Sequence, residues 1–322
     1  MKKLIWIVLI ALTAEAHAVN DTNTSTLAYI AALTWQVRES GAENWAQIIT
    51  PAGRERSVQL IDAPFAWNTG VRIGISHEFD QASYDISLAY THYQTTATNQ
   101  ASGYVYSSFD ANYFVNNTNG ANFGPTYSSA QIRWQFSYNT IDLNLGHHFN
   151  IDRILQAHPH IGLKAASINQ NIDSNWQDPI PSTNFTVATE TLENDFSGIG
   201  PTIGVDTIWP IYTGSCQSLA LIANLDGGLL WGHWHFKDAY NNNIPVTVTV
   251  HVSSVNGVAP MMAGVLGLQW TKEFAKSDIS VRLAYEEQLW FNQIQFYSLS
   301  MGRTNRPVSL QGGDLEFRFN LK

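Results

Sequence analysis

Apolar and polar residues alternate one for one along much of this chain. "GVRIGISH" places Val71, Ile73 and Ile75 on one side and Arg72, Gly74 and Ser76 on the other. After the short turn "EFDQAS", the stretch "YDISLAYTHY" does the same, with Tyr84, Ile86, Leu88 and Tyr90 opposite Asp85, Ser87, Ala89 and Thr91. A strand sends successive side chains to opposite faces, so each run reads as a strand and the pair as a hairpin with a defined register. The chain ends on "LEFRFNLK", where Leu315, Phe317, Phe319 and Leu321 share one face and Glu316, Arg318, Asn320 and Lys322 the other. One greasy face and one charged face suit either the edge of a soluble sandwich or a strand between lipid and a watery lumen.

The spacing of the runs favours the second. Short connections are predicted near residues 78–83, 149–156, 210–217 and 274–278, and long polar ones near 94–129, 171–195, 237–257 and 292–310. Such asymmetry is characteristic of outer-membrane β-barrels. A change of apolar parity near Asn139-Thr140 suggests a bulge. The strand near Leu27 to Val37 starts the count. The count is ten strands if residues 41–61 are mostly loop, and twelve if "NWAQII" and "RSVQLI" both pair. The expected fold is therefore all-β, a transmembrane antiparallel β-barrel of about ten to twelve strands.

The N-terminus alters the picture of the first residues only. "MKKLIWIVLIALTAEAHA" has Lys2 and Lys3, an apolar run from Leu4 to Leu12, and Ala16-His17-Ala18, so residues 1–18 read as a signal peptide cleaved after Ala18. Residues 19–322 are then one barrel domain. No later stretch is long and apolar enough for a transmembrane helix. Cleavage removes two positive charges and one negative, taking the formal charge from -9 to -10, which argues against nucleic acid as a partner. Charged residues make up 13% of the chain and aromatic ones 12%, a balance that fits a barrel wall better than a soluble surface. Cys216 is the only cysteine, so no intramolecular disulfide can form, and a buried, inert thiol is expected.

Aromatic residues gather where strands end. Trp134, Tyr138, Phe149, Trp209, Tyr212, Trp231, Trp234, Trp270, Phe274, Trp290 and Phe291 are expected to form girdles at the two lipid–water interfaces. If the apolar faces meet lipid, the other parity lines the lumen. That assigns Arg72, Asp85, Arg133, Lys164, Asp226, Arg282, Glu286, Glu316 and Arg318 as pore-lining.

Histidines form two groups. His147 and His148 end one strand, and His158 and His160 open the next; His233 and His235 flank Trp234. Four imidazoles around one turn suit a metal, but His147 and His148 point to opposite faces, so packing is expected and no metal site or cofactor is assigned. Asp173, Asp178, Glu190, Glu193, Asp195 and His233 fall near presumed outer loops or strand ends, in no spacing that demands catalysis, so no enzyme is expected.

Several segments resemble one family. "FAWNTGVRIGISHEFDQASYDISLAYTHY", "IDLNLGHHFNIDRILQAHPHIGLKAASINQ" and "GIGPTIGVDTIW" are together similar to the major outer membrane protein family of Legionella and its MOMP-like relatives. The likeness runs from about Thr34 to the C-terminus. His147 stands where that family commonly has Arg, and Lys322 where assembly strands usually end on an aromatic ring. The resemblance implies an outer-membrane barrel that acts as a porin for passive diffusion of small hydrophilic solutes or ions. The alternative is a non-conducting surface barrel acting as adhesin or ligand-binding protein through its outer loops. The Asn/Tyr/Ser-rich stretch at 94–129 has the composition of an adaptable contact surface. The partners implied are outer-membrane lipid, the barrel-assembly machinery and small hydrophilic solutes, with a homo-oligomer left open. The expected location is the outer membrane of a Gram-negative bacterium, with both termini periplasmic.

Overall fold

The computed structural model describes residues 24–39, 44–52, 55–79, 83–108, 126–152, 155–180, 185–243, 247–298 and 302–322. The signal segment and its cleavage site lie outside the described residues, as does the tip of the long connection at 109–125. Thirteen strands follow one another: β1 (Ser25–Glu39), β2 (Asn44–Ala52), β3 (Glu55–Asp62), β4 (Asn68–Glu78), β5 (Tyr84–Ser107), β6 (Thr126–His147), β7 (Phe149–Asp152), β8 (Leu155–Ile180), β9 (Val187–Thr213), β10 (Gln217–Asn242), β11 (Thr247–Glu273), β12 (Ser277–Ser298) and β13 (Gly302–Leu321).

Ten of them close a barrel in the order β1-β4-β5-β6-β8-β9-β10-β11-β12-β13, all antiparallel. Closure is made by the terminal strand: Leu315 pairs with Ala32 and Phe319 with Ala28. "NWAQII" and "RSVQLI" do both pair, as β2 and β3, yet they add no stave to the wall. Their hairpin docks through Ala46–Ile48 onto Val105–Ser107 at the far end of β5. β4 has 11 residues and β5 has 24, so the upper edge of β5 outruns its neighbour and is open to this hairpin.

The predicted polar loops at 171–195, 237–257 and 292–310 prove to be paired over most of their length. Asn171 pairs with Glu193, Lys237 with His251 and Ile294 with Arg306. A barrel strand needs ~9–11 residues to cross a membrane, whereas β8 has 26. The surplus forms a second storey of barrel beyond the membrane.

The predicted bulge at Asn139-Thr140 is absent. β6 pairs residue by residue with β5 from Ala130 to His147 and runs just as evenly beside β8 from Ser129 to Gly146. What changes is which face is apolar. Near the turn end the outward residues Ile141, Leu143 and Leu145 are exposed and apolar, opposite inward Asp142 and Thr140. Farther along, inward Ile132, Trp134, Phe136 and Tyr138 are buried, and outward Gln131 and Arg133 are exposed. β8 repeats the exchange, with Ile161 and Leu163 exposed below and Ile168, Ile172 and Trp176 buried above. The lower storey is built for lipid outside and water inside, the upper storey for water outside and an apolar core inside.

The exposed apolar belt runs round the wall through Ile30, Leu88, Leu143, Leu163, Ile203, Leu229, Leu266, Leu283 and Phe317. Phe149, Tyr212, Trp270 and Phe274 rim its lower edge, and Trp231 stands higher. Four rings expected in the girdle, Trp134, Tyr138, Trp234 and Trp290, instead point into the barrel and are buried. Cys216, expected to be buried, is exposed in the turn between β9 and β10. Leu283 is 64% exposed at mid-belt, between Leu268 and Leu315 on the adjacent strands. Leu283→Arg is expected to cost ~2–4 kcal/mol against Leu283→Ala in urea unfolding from lipid vesicles. A loss below about 1 kcal/mol would place this position at the interface instead.

Candidate functional site

The lumen divides into an aromatic seal and a charged vestibule beneath it. The seal fills the upper storey. Trp35 packs on Tyr93 and Tyr138 at ring separations of 5.7 and 6.1 Å, and Tyr138 meets Trp290 at 5.7 Å. The connection between β3 and β4 turns inward, so that Phe65 lies edge-on to Trp134 and Phe136, 5.7 and 6.3 Å away. Gln36 holds that connection by donating to the Phe65 carbonyl at 2.7 Å. From β2, Trp45 joins Trp176 at 5.5 Å. A hairpin that is no part of the wall thus supplies part of the stopper.

Polar bonds cross the same space. Tyr138 Oη donates to Gln288 Oε1 at 2.7 Å, joining β6 to β12 on the opposite side of the barrel. Gln288 Nε2 donates to Glu286 Oε1 at 2.7 Å, and Trp290 Nε1 to Gln288 Oε1 at 3.1 Å. The register of β12 shifts between Trp290 and Ile294, where Asn292 has φ 60°. This bulge brings the Gln293 carbonyl within 2.9 Å of Asn194 Nδ2 on β9. Each such bond is worth only ~1 kcal/mol net, but breaking one here strands a buried group at greater cost.

Below the seal, a cavity of about 630 Å³ runs from Tyr138 and Gln288 to the rim at Ser25, Glu78 and Asn320. Of the nine residues predicted to line a pore, eight face it: Arg72, Asp85, Lys164, Asp226, Arg282, Glu286, Glu316 and Arg318. Arg133 does not. It is exposed on the outer wall between the buried Ile132 and Trp134, because the apolar face of upper β6 turns inward rather than toward lipid.

The fixed cations of the vestibule all have acidic partners. Arg72 Nη2 holds both oxygens of Glu286 at 2.9 Å, its Nε donates to Thr91 at 3.1 Å, and its Nη1 lies 3.9 Å from Asp314. The same guanidinium stands 5.5 Å over the Trp35 ring. Arg318 bonds Glu316, and Arg282 lies 3.8 Å from that carboxylate. Lys164 bonds Asp142. Nine carboxylates line the vestibule against these four cations, so its field attracts positive charge.

One group is all histidine and aspartate. His158 Nε2 lies 2.6 Å from Asp85 Oδ2 and its Nδ1 lies 3.1 Å from Asp206 Oδ2. His148 Nε2 reaches the same Asp85 oxygen at 3.0 Å, and its ring stacks on His158 at 4.2 Å. His160 Nε2 lies 2.8 Å from Asp226 Oδ1. The short turn-end connections place these residues: β5 starts at Tyr84, and the residue after β6 is His148. His147 points the other way, against Tyr84 and Phe149 at ring separations of 4.3 and 4.2 Å. His233 lies on the outer face, and His235 pairs with Asp195 in the ladder.

Asp206, Asp142, Asp314, Tyr138 and Gln288 were not among the predicted site residues. The signal for Asp206 was present, since it shares the parity of Thr202 and Gly204 in "GIGPTIGVDTIW" and so faces the water-filled half. The acids placed in outer loops lie in paired strands. Asp173 accepts from Thr191 at 3.0 Å and Glu193 meets Lys237 at 3.3 Å.

Solved structures with related shape include the outer membrane protease OmpT of Escherichia coli, at TM-score 0.42 and 8% identity, covering 95% of this chain and 99% of that one. The translocator domain of the autotransporter NalP from Neisseria meningitidis gives TM-score 0.37 at 8% identity, covering 100% and 95%. The toluene transporter TodX of Pseudomonas putida gives 0.23 at 7% identity, covering 94% and 90%. Among curated proteins none matches. The family described as Legionella pneumophila major outer membrane protein precursor matches residues 20–321, and the chain belongs to it.

Proposed function

We propose that this outer-membrane protein is a closed barrel, which serves the envelope by contacts at its outer end rather than by passing solute. The observation that carries the reading is the upper storey, where strands of up to 27 residues enclose an apolar core instead of a water column. A diffusion channel gains nothing from extending its wall so far past the membrane and filling it with tryptophan. A rigid polar platform held above the membrane gains its stiffness from that core. On this reading the turn end and both termini face the periplasm, and the platform faces outward, with exposed Tyr104 and Trp67 among its polar surroundings. No bond-breaking step is part of it, and the upper-storey acids Asp173 and Glu193 act by pairing with their neighbours.

A second reading is favoured by the vestibule. Its charged wall reaches as far as Tyr138 and Gln288, as in a channel with a gate at mid-lumen. One measurement separates the two. The refolded mature chain, first shown to be folded by its heat-modifiable gel mobility, is expected to give no conductance steps in a planar lipid bilayer. Discrete steps whose size scales with salt would replace the closed platform with a gated porin for small cations.

A further inference from the structure

We propose that Asp85, His148 and His158 form a binding site for one divalent transition-metal ion of the zinc class, at the turn-end mouth of the vestibule. The inference does not rest on whether the barrel conducts. Two imidazole Nε2 atoms converge on a single carboxylate oxygen, at 2.6 and 3.0 Å, and the three donor atoms lie within 4.8 Å of one another. Two imidazoles and one carboxylate make a donor set suited to zinc, with a fourth position for water from the vestibule.

Three further observations point to a cation at this place. Asp85 is 3% exposed, yet its Oδ1 has no hydrogen-bond partner, so half of a buried carboxylate is free to bind. His158 already has the outer contact that metal-bound histidines use, its Nδ1 against Asp206 at 3.1 Å, which orients the ring with Nε2 toward Asp85 and the ion. The vestibule's excess of carboxylates draws cations inward and supplies the charge a divalent ion requires. A tetrahedral ion with bonds of ~2.0–2.2 Å holds its donor atoms ~3.3–3.6 Å apart. The three donor atoms lie within 4.8 Å of one another, so binding an ion requires small movements of the two rings as well as of Asp85.

The neighbouring His160 holds Asp226 at 2.8 Å through Nε2, and its Nδ1 lies 3.9 Å from Asp206. His158, His160 and Asp206 form a second group of converging donors beside the first, but His160 already has its Nε2 committed to Asp226. The site is built from one residue at the start of β5, one in the connection after β6 and one on β8, so it ties three staves together where the barrel opens.

The test is zinc binding by the chelator-treated, refolded mature chain in detergent, in competition with a chromophoric chelator. One ion per chain is expected. His148→Ala and His158→Gln are each expected to weaken binding by more than about 100-fold, and Asp206→Asn by about 10–100-fold. His147→Ala, on the other face of the same strand end, should change nothing. His148 is half-exposed in its connection, so His148→Ala tests the site even if His158→Gln does not refold. Cobalt in place of zinc should give the visible absorption of a four-coordinate nitrogen–oxygen site. No stoichiometric binding, or binding unchanged in both histidine variants, overturns the proposal.

Discussion

Replacing Glu286 with alanine is expected to destabilise the barrel by ~3–5 kcal/mol, because it leaves a buried guanidinium without its main counter-charge. The Glu286 side chain is 4% exposed and that of Arg72 17%, and both of its oxygens are held by one nitrogen of Arg72 at 2.9 Å. The substitution also removes the acceptor of Gln288 Nε2, and Gln288 is the residue that carries the bond across the lumen to Tyr138. Two features pull the loss toward the low end of that range. Asp314 stands 3.9 Å from Arg72 and can close part of the gap, and the vestibule supplies water from below. Burying a pair is itself expensive, so replacing both partners with apolar residues of similar size, Arg72→Met with Glu286→Leu, is expected to recover most of the loss. The check is urea unfolding from lipid vesicles, followed by tryptophan fluorescence. A single variant that loses less than about 1 kcal/mol would show that the pair behaves as a solvated surface bridge.

The same contrast between two environments explains what could be read from the sequence. The lower storey was legible. Its outward faces are apolar and its inward faces polar, so the parity of Ile86 and Leu88, or of Phe317 and Phe319, told the outer face of the wall from the inner one. Arg72, Asp85, Lys164 and Glu316 followed from that parity. The closing role of "LEFRFNLK" followed too, from its alternation of apolar and charged residues, and this strand does pair with β1.

The upper storey was misread for a physical reason. Alternation shows that two faces differ but not which one is inside, because lipid outside and a core inside both call for apolar residues. Along β6 the apolar set passes from Ile141, Leu143 and Leu145 to Ile132, Trp134, Phe136 and Tyr138 without any break in pairing. Read with a single environment in mind, this exchange looks like a bulge, and it sends Arg133 to the wrong side. Read as two solvents stacked along one wall, it gives the height at which the membrane ends. The polar stretches near 171–195 and 237–257 read as loops on the same ground: their outward residues are polar because they meet water, although the described backbone is paired over most of its length. The Asp85–His148–His158 group was half visible. The four histidines stood out in the sequence, whereas the aspartates that face them come from β5, β9 and β10 and are brought together only by the pairing and curvature of the staves from β5 to β10.

Trp134→Ala is expected to cost ~3–5 kcal/mol, the range for emptying a large buried ring, and to leave the bilayer silent. The ring is fully buried, lies edge-on to Phe65 at 5.7 Å, and its Nε1 donates to Gln170 Oε1 at 3.1 Å, so truncation opens a void and strands a buried amide oxygen. Wild-type conductance is not expected to change, because the layer at Tyr138, Gln288 and Trp290 lies between this void and the vestibule. Opening a path needs that layer removed as well. Adding Tyr138→Ala and Trp290→Ala to Trp134→Ala deletes the ring contact at 5.7 Å and the Tyr138–Gln288 bond that crosses from β6 to β12. The triple variant is therefore expected to show salt-dependent steps that favour cations, given the nine carboxylates below. The single variant isolates stability from permeation: it should unfold at lower urea with the same silent trace. If Trp134→Ala alone conducted, the seal would be one layer thick, and the upper storey would be a gate instead of a platform.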